Sequence, residues 1–429
     1  MDRNMVDREE VVKKYRKYIL KTVVEPIVAA EGEGVFLRDL QGKEYLDFST
    51  GYSVMALGYG NPSVRRKIQE QLIKLEHCCH YLYYSIQAAD FAEKLCEISP
   101  DKLRKSFLCN SGTEAIEGTI RLARKYTKKH EMFALYRGHY GRSMGAASIT
   151  GNFKEKKGMG PYLTGVHFLP PPYCYRCSLR QTYPECELAC ARLMEDAIRY
   201  ATSNDVACII LEPIMMDVVI VPPDGYLQEI KRICDEHDIL FITDEVQSGL
   251  GRSGKMFAVE HWKIEPDIMA LGKALGGGLP LGAFIASDEV ASAFEYMDYA
   301  SSCGGNPLTC AAGLEMINLL QNGLVENASR MGEYFIKRLL ELKQKHKIIG
   351  EVRGKGLFIG LELVRDEKTK TPAIQEAETA KNRLREMGLL LIRNESTFRI
   401  LPPLIVKKEE IDQAVELIDK VLDKINKKL

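Results

Sequence analysis

Asp244 and Lys273 are the residues of this chain that are hardest to place unless they do chemistry. Each closes an apolar run of strand length, residues 239–243 and 267–271, and Lys273 is followed closely by Gly276, Gly277 and Gly278. An ionisable group in a dry setting is costly unless it is paired or used. A lysine amine can form a Schiff base with an aldehyde, and a carboxylate can keep a ring nitrogen protonated. Pyridoxal phosphate needs both, because its ring is an electron sink only when that nitrogen is charged. The glycines would let backbone approach such a ring where a β-carbon would clash. The bland reading of the same pair is a helix-capping Asp and a solvated loop lysine.

Residues 110–115, NSGTEA, follow an apolar run and open a helix in which Ile116, Ile120 and Ala123 recur at helical spacing. Ser111, Gly112 and Thr113 then lie at a helix N-terminus, where free N–H groups and the helix dipole favour an anion such as phosphate. A plain Ser or Thr cap is the commoner use of these residues, and the glycine between the two hydroxyls favours the phosphate.

These groups need a scaffold. Residues 8–20 read as a polar helix, and GVFLRDLQGKEYLDF as a hairpin around an Asp-x-x-Gly turn. From residue 61 long helical stretches alternate with the runs SFLCNS, MFALY, ACIILEPI, ILFITDEV, DIMALG and GAFIAS, the pattern of an α/β fold with a mostly parallel sheet covered on both faces. After residue 311 come a long helix, the strand-like VRGKGLFIGLELV, LLLIRN and TFRILPPL, and a closing helix with Ile411, Val415, Ile418, Leu422 and Ile425 on one face, an α+β pattern. The expected division is an N-terminal segment 1–60, a large domain 61–310 and a C-terminal segment 311–429.

With 59 basic and 59 acidic residues the net charge is zero, so no field gathers nucleic acid or an anionic membrane, and small molecules are the expected partners. No run reaches membrane-spanning length and the first stretch, MDRNMVDREEVVKKYRKY, is charged, so a cytoplasmic location is expected. The twelve cysteines then read as reduced thiols or metal ligands. Four of them, Cys174, Cys177, Cys186 and Cys190, fall in the insert 170–190 and could form a structural zinc site; only the first pair has Cys-x-x-Cys spacing, which favours a reduced flap without metal. His77, His80, His167 and His261 show no ligand-like grouping.

NSGTEA, EPI, DEVQSGLGRSG, LGKALGGGLPLGA, GGNP and RILPPL occur together and in this order, and through them residues 34–404 resemble the class III aminotransferases of the fold-type-I pyridoxal phosphate enzymes. The resemblance implies a seven-stranded large domain, a small α+β domain built from both termini, and a homodimer, or a dimer of such dimers, with its site at the subunit interface. It implies that Lys273 carries the cofactor, Asp244 meets the ring nitrogen, Val246 packs on the ring and Gln247 reaches the ring hydroxyl. Ser111, Gly112 and Thr113 would hold the phosphate, with Ser302 reaching it from the partner subunit. His139 and Tyr140 stand where the family stacks an aromatic ring on the cofactor, and Asp217 stands where it has a glutamate.

Arg142 and Arg399 match positions that bind the two carboxylates of glutamate or 2-oxoglutarate in relatives acting on ω-amino acids, a task suited to bidentate guanidinium groups. In those relatives the acid at the place of Asp217 pairs with the arginine at the place of Arg399 and masks it. Tyr52 and Tyr81 match positions facing the amino-acid end of the substrate. The implied activity is transfer of an amino group between an ω-amino acid (ornithine, acetylated ornithine, 4-aminobutyrate or another amine) and 2-oxoglutarate. A racemase or epimerase on the same fold is the alternative, although it has no use for a second carboxylate-binding arginine. A non-catalytic binding protein is the alternative if no cofactor is bound.

Overall fold

The computed structural model describes residues 7–426. Its largest sheet has seven strands: β1 (Lys105–Cys109), β2 (Glu131–Leu135), β3 (Val166–Leu169), β4 (Val206–Leu211), β5 (Leu240–Asp244), β6 (Ile268–Leu271) and β7 (Gly282–Ala286). They lie in the order β1-β7-β6-β5-β4-β2-β3. Only β7 runs against its neighbours; the other pairings are parallel.

Strands covered on both faces read as unbroken apolar runs. In β4 and β5, Ile209, Leu211 and Phe241 join Tyr226 and Ile230 on one face. Ile210, Leu240 and Ile242 join Ala115, Ile116 and Ile120 of helix α1 (Gly112–Thr127) on the other. Six of the strands fall on runs visible in the sequence. The seventh, β3, is a half-exposed edge strand reading VHFL, too short and too polar to stand out. Because β1, β2, β4, β5 and β6 point the same way, their C-terminal ends share one edge of the sheet, where α/β proteins place ligands.

The beginning and end of the chain are woven together. Leu389–Leu390 pairs in parallel with Glu44–Asp47, and the Leu401 and Leu404 N–H groups donate to Phe48 O (2.8 Å) and Ala56 O (2.7 Å). A second small sheet pairs Phe358–Asp366 with Ile349–Lys355 and with Thr397–Ile400, setting Arg399 opposite Gly360. The closing helix, Lys408–Asn426, buries Ile411, Val415, Ile418, Leu422 and Ile425, each worth ~1.5–3 kcal/mol. The expected N-terminal helix spans Arg8–Tyr18, and in the hairpin Asp39 Oδ1 accepts from the N–H groups of Gln41 (3.0 Å) and Lys43 (2.9 Å), making the Asp-x-x-Gly turn.

After the hairpin the backbone is left-handed at four successive residues, Thr50, Gly51, Tyr52 and Ser53, with φ of 47°, 57°, 60° and 68°. Three of them carry a β-carbon, and each such residue costs ~1–2 kcal/mol. Asp47 Oδ1 offsets this by accepting from the N–H groups of Ser49 (2.8 Å) and Thr50 (3.1 Å). Among the described residues no helix is long and apolar enough to cross a membrane.

Candidate active site

The site is built on the shared strand edge. Asp244 is the last residue of β5, buried, on the face of the sheet covered by α1, and its Oδ1 accepts from Val246 N–H at 2.9 Å. Lys273 lies two residues beyond β6 with φ of +47°, a left-handed conformation a lysine adopts only when its surroundings impose it. Its Nζ donates to Gln247 Oε1, and Gln247 Nε2 donates to Ser53 Oγ at 2.6 Å. Gln247, expected at a ring hydroxyl, thus links the lysine to the strained turn.

Glu212, just beyond β4, completes the buried set and was not singled out from the sequence. Its carboxylate accepts from the N–H groups of His139 (3.0 Å) and Met216 (2.8 Å). The signal was available, since Glu212 closes the apolar run of β4 as Asp244 closes that of β5. Burial lowers Lys273 to about 8, with Asp244 and Glu212 opposing that shift. Burial raises both acids, and the charge of Asp244 raises Glu212 further.

Facing these groups is the start of α1. Ser111 caps it, its Oγ accepting from Glu114 N–H at 3.2 Å, while Glu114 reaches back to Asn110 N–H at 3.1 Å. The first N–H groups of a helix have no partner within it, and here they belong to Gly112 and Thr113. A β-carbon at Gly112 would lie 2.7 Å from Val246 Cγ1, and one at Gly272 would lie 2.9 Å from Gly112 N, so both positions exclude a side chain. Helix N–H donors for a phosphate, a buried acid for a ring nitrogen and a buried amine for an aldehyde fit pyridoxal phosphate.

Other expected residues sit differently. The Tyr140 ring is buried, its hydroxyl donating to Ile210 O at 3.0 Å, so it turns into the sheet and away from a cofactor. His139 Nδ1 lies 2.7 Å from Glu155 Oε2, which ties the imidazole to a carboxylate. Ser302 is exposed. Tyr81 is half-buried and meets His80 edge-on with ring centroids 6.3 Å apart. The Arg142 side chain is 78% exposed and 3.7 Å from the same Glu155 oxygen.

Arg399 is buried and reaches the site from the small sheet. Nη1 donates to Met216 O at 3.1 Å, the guanidinium lies 5.5 Å from the centre of the Tyr52 ring, and Nε has no hydrogen-bond partner. The expected masking pair of Asp217 with Arg399 does not form. Asp217 Oδ2 accepts from Arg137 Nε at 2.7 Å, and Oδ1 accepts from Asn394 Nδ2. Aspartate is one methylene shorter than the family's glutamate, and two donors saturate it on the spot.

Cys174, Cys177, Cys186 and Cys190 are free thiols lining one cavity of about 20 Å³. Among the described residues, the one group of potential ligands that converges to metal-binding spacing is His346, Asp419 and Asp423, not these sulfurs. What the insert does carry is a brace. Arg176 Nε donates to Glu362 Oε1 at 2.5 Å, Tyr173 donates to the same carboxylate, and Arg353 donates to Tyr173 Oη (2.9 Å), Val218 O (2.6 Å) and Val219 O (2.7 Å). The insert therefore pins the loop that holds Asp217.

The family model for aminotransferase class-III matches residues 19–422. A leucine/methionine racemase from Thermococcus litoralis is 36% identical, with 97% of this chain and 95% of that protein aligned. An acetylornithine aminotransferase from Caldanaerobacter subterraneus subsp. tengcongensis is 37% identical over 96% and 98% of the two chains. Among solved structures, the ornithine aminotransferase from Toxoplasma gondii superposes with a TM-score of 0.87 at 26% identity, covering 99% of this chain and 97% of that one. A match along nearly the whole length, on a seven-stranded sheet with its ionisable residues on one edge, leaves one assignment: the chain belongs to the class-III aminotransferases, a family of pyridoxal phosphate enzymes.

Proposed function

We propose that the enzyme moves an amino group from a carboxylate-bearing amine to 2-oxoglutarate, with Lys273 and Asp244 as its catalytic residues. The observation that carries this reading is Arg399, a buried guanidinium with an unpaired Nε, which shares Met216 with the lysine: Arg399 holds its carbonyl and Lys273 Nζ lies 3.9 Å from its sulfur. A buried cation of this kind calls for a carboxylate, and a ligand that supplies one lies beside the amine.

The bound cofactor supplies an electron sink for the carbon that loses its proton. Ser111, Gly112 and Thr113 hold its phosphate, and Asp244 holds a proton at its ring nitrogen. Lys273 Nζ, lowered by burial, is neutral often enough near neutral pH to take a proton from one carbon and return it to another. Glu212 fixes the main chain of His139 and Met216, the walls on either side. A homodimer is supported by the exposed Leu72, Ile73, Leu75, Leu82, Tyr83 and Tyr84, an apolar stretch a lone subunit would leave wet, and would bring Ser302 of one subunit to the site of the other.

The test is a panel of amines assayed with 2-oxoglutarate and with pyruvate. Glutamate formation from 2-oxoglutarate is expected to exceed alanine formation from pyruvate; preference for pyruvate would remove the dicarboxylate acceptor. A second reading, racemisation, is favoured by the 36% identity to the leucine/methionine racemase and by the exposure of Arg142, which leaves one buried arginine for a monocarboxylate. It predicts loss of optical rotation from a single amino acid with no oxo acid present.

The lowered pKa of Lys273 gives a further expectation. Only the neutral amine attacks an aldehyde, so uptake of pyridoxal phosphate by the cofactor-stripped protein should accelerate as pH rises through about 8. An exposed lysine would need a pH near ~10.4. Absorbance growth followed across pH 6–11 measures the midpoint, and a midpoint at the ordinary lysine value would mean that the amine is not desolvated.

A further inference from the structure

Arg137 belongs to none of the motifs above, yet it decides what Asp217 does. It stands beyond the end of β2 with φ of +69°, its N–H donating to Gly151 O at 3.1 Å. From there Nε reaches Asp217 at 2.7 Å and Nη2 reaches Glu395 Oε2 at 2.9 Å. Asn394 takes the other Asp217 oxygen and also donates to the Asp217 carbonyl at 3.2 Å. The loop below is closed by two mutual backbone hydrogen bonds between Met215 and Ile220, each 3.0 Å, and by Arg353 on Val218 and Val219. Main chain and carboxylate are both fixed. Arg399, which acts electrostatically on Asp217, forms no ion pair with it.

We propose that Arg137 is a specificity-determining residue that holds Asp217 off Arg399, keeping Arg399 open and selecting donors whose carboxylate sits on the amine-bearing carbon. The inference rests on the proposed role of Arg399 as a carboxylate receptor. An ω-amino acid puts its carboxylate several bonds from the reacting nitrogen, so its amine end meets Arg399 with no anion to offer. The buried guanidinium is then left unpaired, which disfavours that donor. An α-amino acid brings the anion with the amine. Arg137 touches neither substrate nor cofactor; it acts through Asp217.

The probes are 2-aminobutyrate and 4-aminobutyrate, which have the same composition and differ in where the amine sits. In the wild-type holoenzyme the kcat/KM ratio is expected to favour 2-aminobutyrate. In Arg137→Gln, Asp217 keeps Asn394 but loses its cationic partner, so its charge is left to act on Arg399, and the ratio falls by at least about tenfold, the scale of one charge-assisted hydrogen bond. The double variant Arg137→Gln/Asp217→Asn removes the mask and restores the ratio, a rescue that general damage to the fold would not give. Binding of glutarate, which has two carboxylates and no reactive group, is measured by calorimetry in the same three proteins. It should weaken in Arg137→Gln and recover in the double variant whichever reaction the enzyme catalyses. If glutarate binding follows this pattern while transfer to 2-oxoglutarate fails, only the proposed reaction is lost. A wild-type preference for 4-aminobutyrate, an unmoved ratio in Arg137→Gln, or no rescue overturns the proposal.

Discussion

Lys273→Ala is expected to abolish turnover, with a fall in kcat of at least ~10⁴-fold, because in the proposed mechanism one atom, Nζ, both attaches the cofactor and carries the proton. The backbone consequence is small: alanine meets the same left-handed φ of +47° as lysine, and the amine it removes was buried at a cost in solvation. The variant therefore remains folded by circular dichroism and retains phosphate-dependent affinity for pyridoxal phosphate through the start of α1. The visible absorbance of the lysine-bound cofactor is missing. Single-turnover and steady-state rates measure the loss, and repeated turnover in this variant would take Lys273 out of its role.

Asp244→Asn separates cofactor attachment from chemistry. Asparagine can still accept the Val246 N–H bond seen at 2.9 Å, so the strand end holds its shape and Lys273 still attaches the cofactor. What is lost is the negative charge proposed to keep a proton on the ring nitrogen, an electrostatic contribution of the kind worth ~10²–10³ in kcat. The lysine-bound absorbance should persist while kcat falls on that scale and KM changes little. Unchanged kcat would mean that Asp244 is a structural acid. Its pKa is raised by burial, so below its shifted value the carboxylate protonates and wild-type kcat should fall toward that of the variant as pH drops.

What could be read in the sequence was whatever announces itself along the chain. Asp244 and Lys273 stood out because each closes a strand-length apolar run, and the structure sets both at the ends of buried strands. The start of α1 was legible for the same local reason, a hydroxyl-glycine-hydroxyl stretch before a helical repeat. Partnerships between distant residues were not legible. Nothing near Asp217 says that Arg137, eighty positions earlier, would take its carboxylate, because that contact depends on β2 and β4 lying side by side in the sheet. The turn Thr50–Ser53 was equally hidden, since a threonine, a tyrosine and a serine give no sign of left-handed backbone until Asp47 and Leu401 impose it. The four cysteines show the converse, a spacing that suggests a ligand set in thiols that line one small cavity without converging as His346, Asp419 and Asp423 do.

The position of β7 governs how the enzyme is made. The strand that leads into the turn at Ser111, β1, touches no other strand of the sheet except β7, with Cys109 opposite Gly282. During synthesis β2 to β6 can pair as they leave the ribosome, but β1 has no neighbour until residue 286 has emerged. A nascent chain halted after Leu271 would present Asp244 on a partly formed sheet, with α1 able to pack on β4 and β5 but with β1 unpaired and Lys273 not yet made. The turn at Ser111 is thus fixed on its strand side only once β7 has formed, so a site complete enough to hold the cofactor is expected late in synthesis.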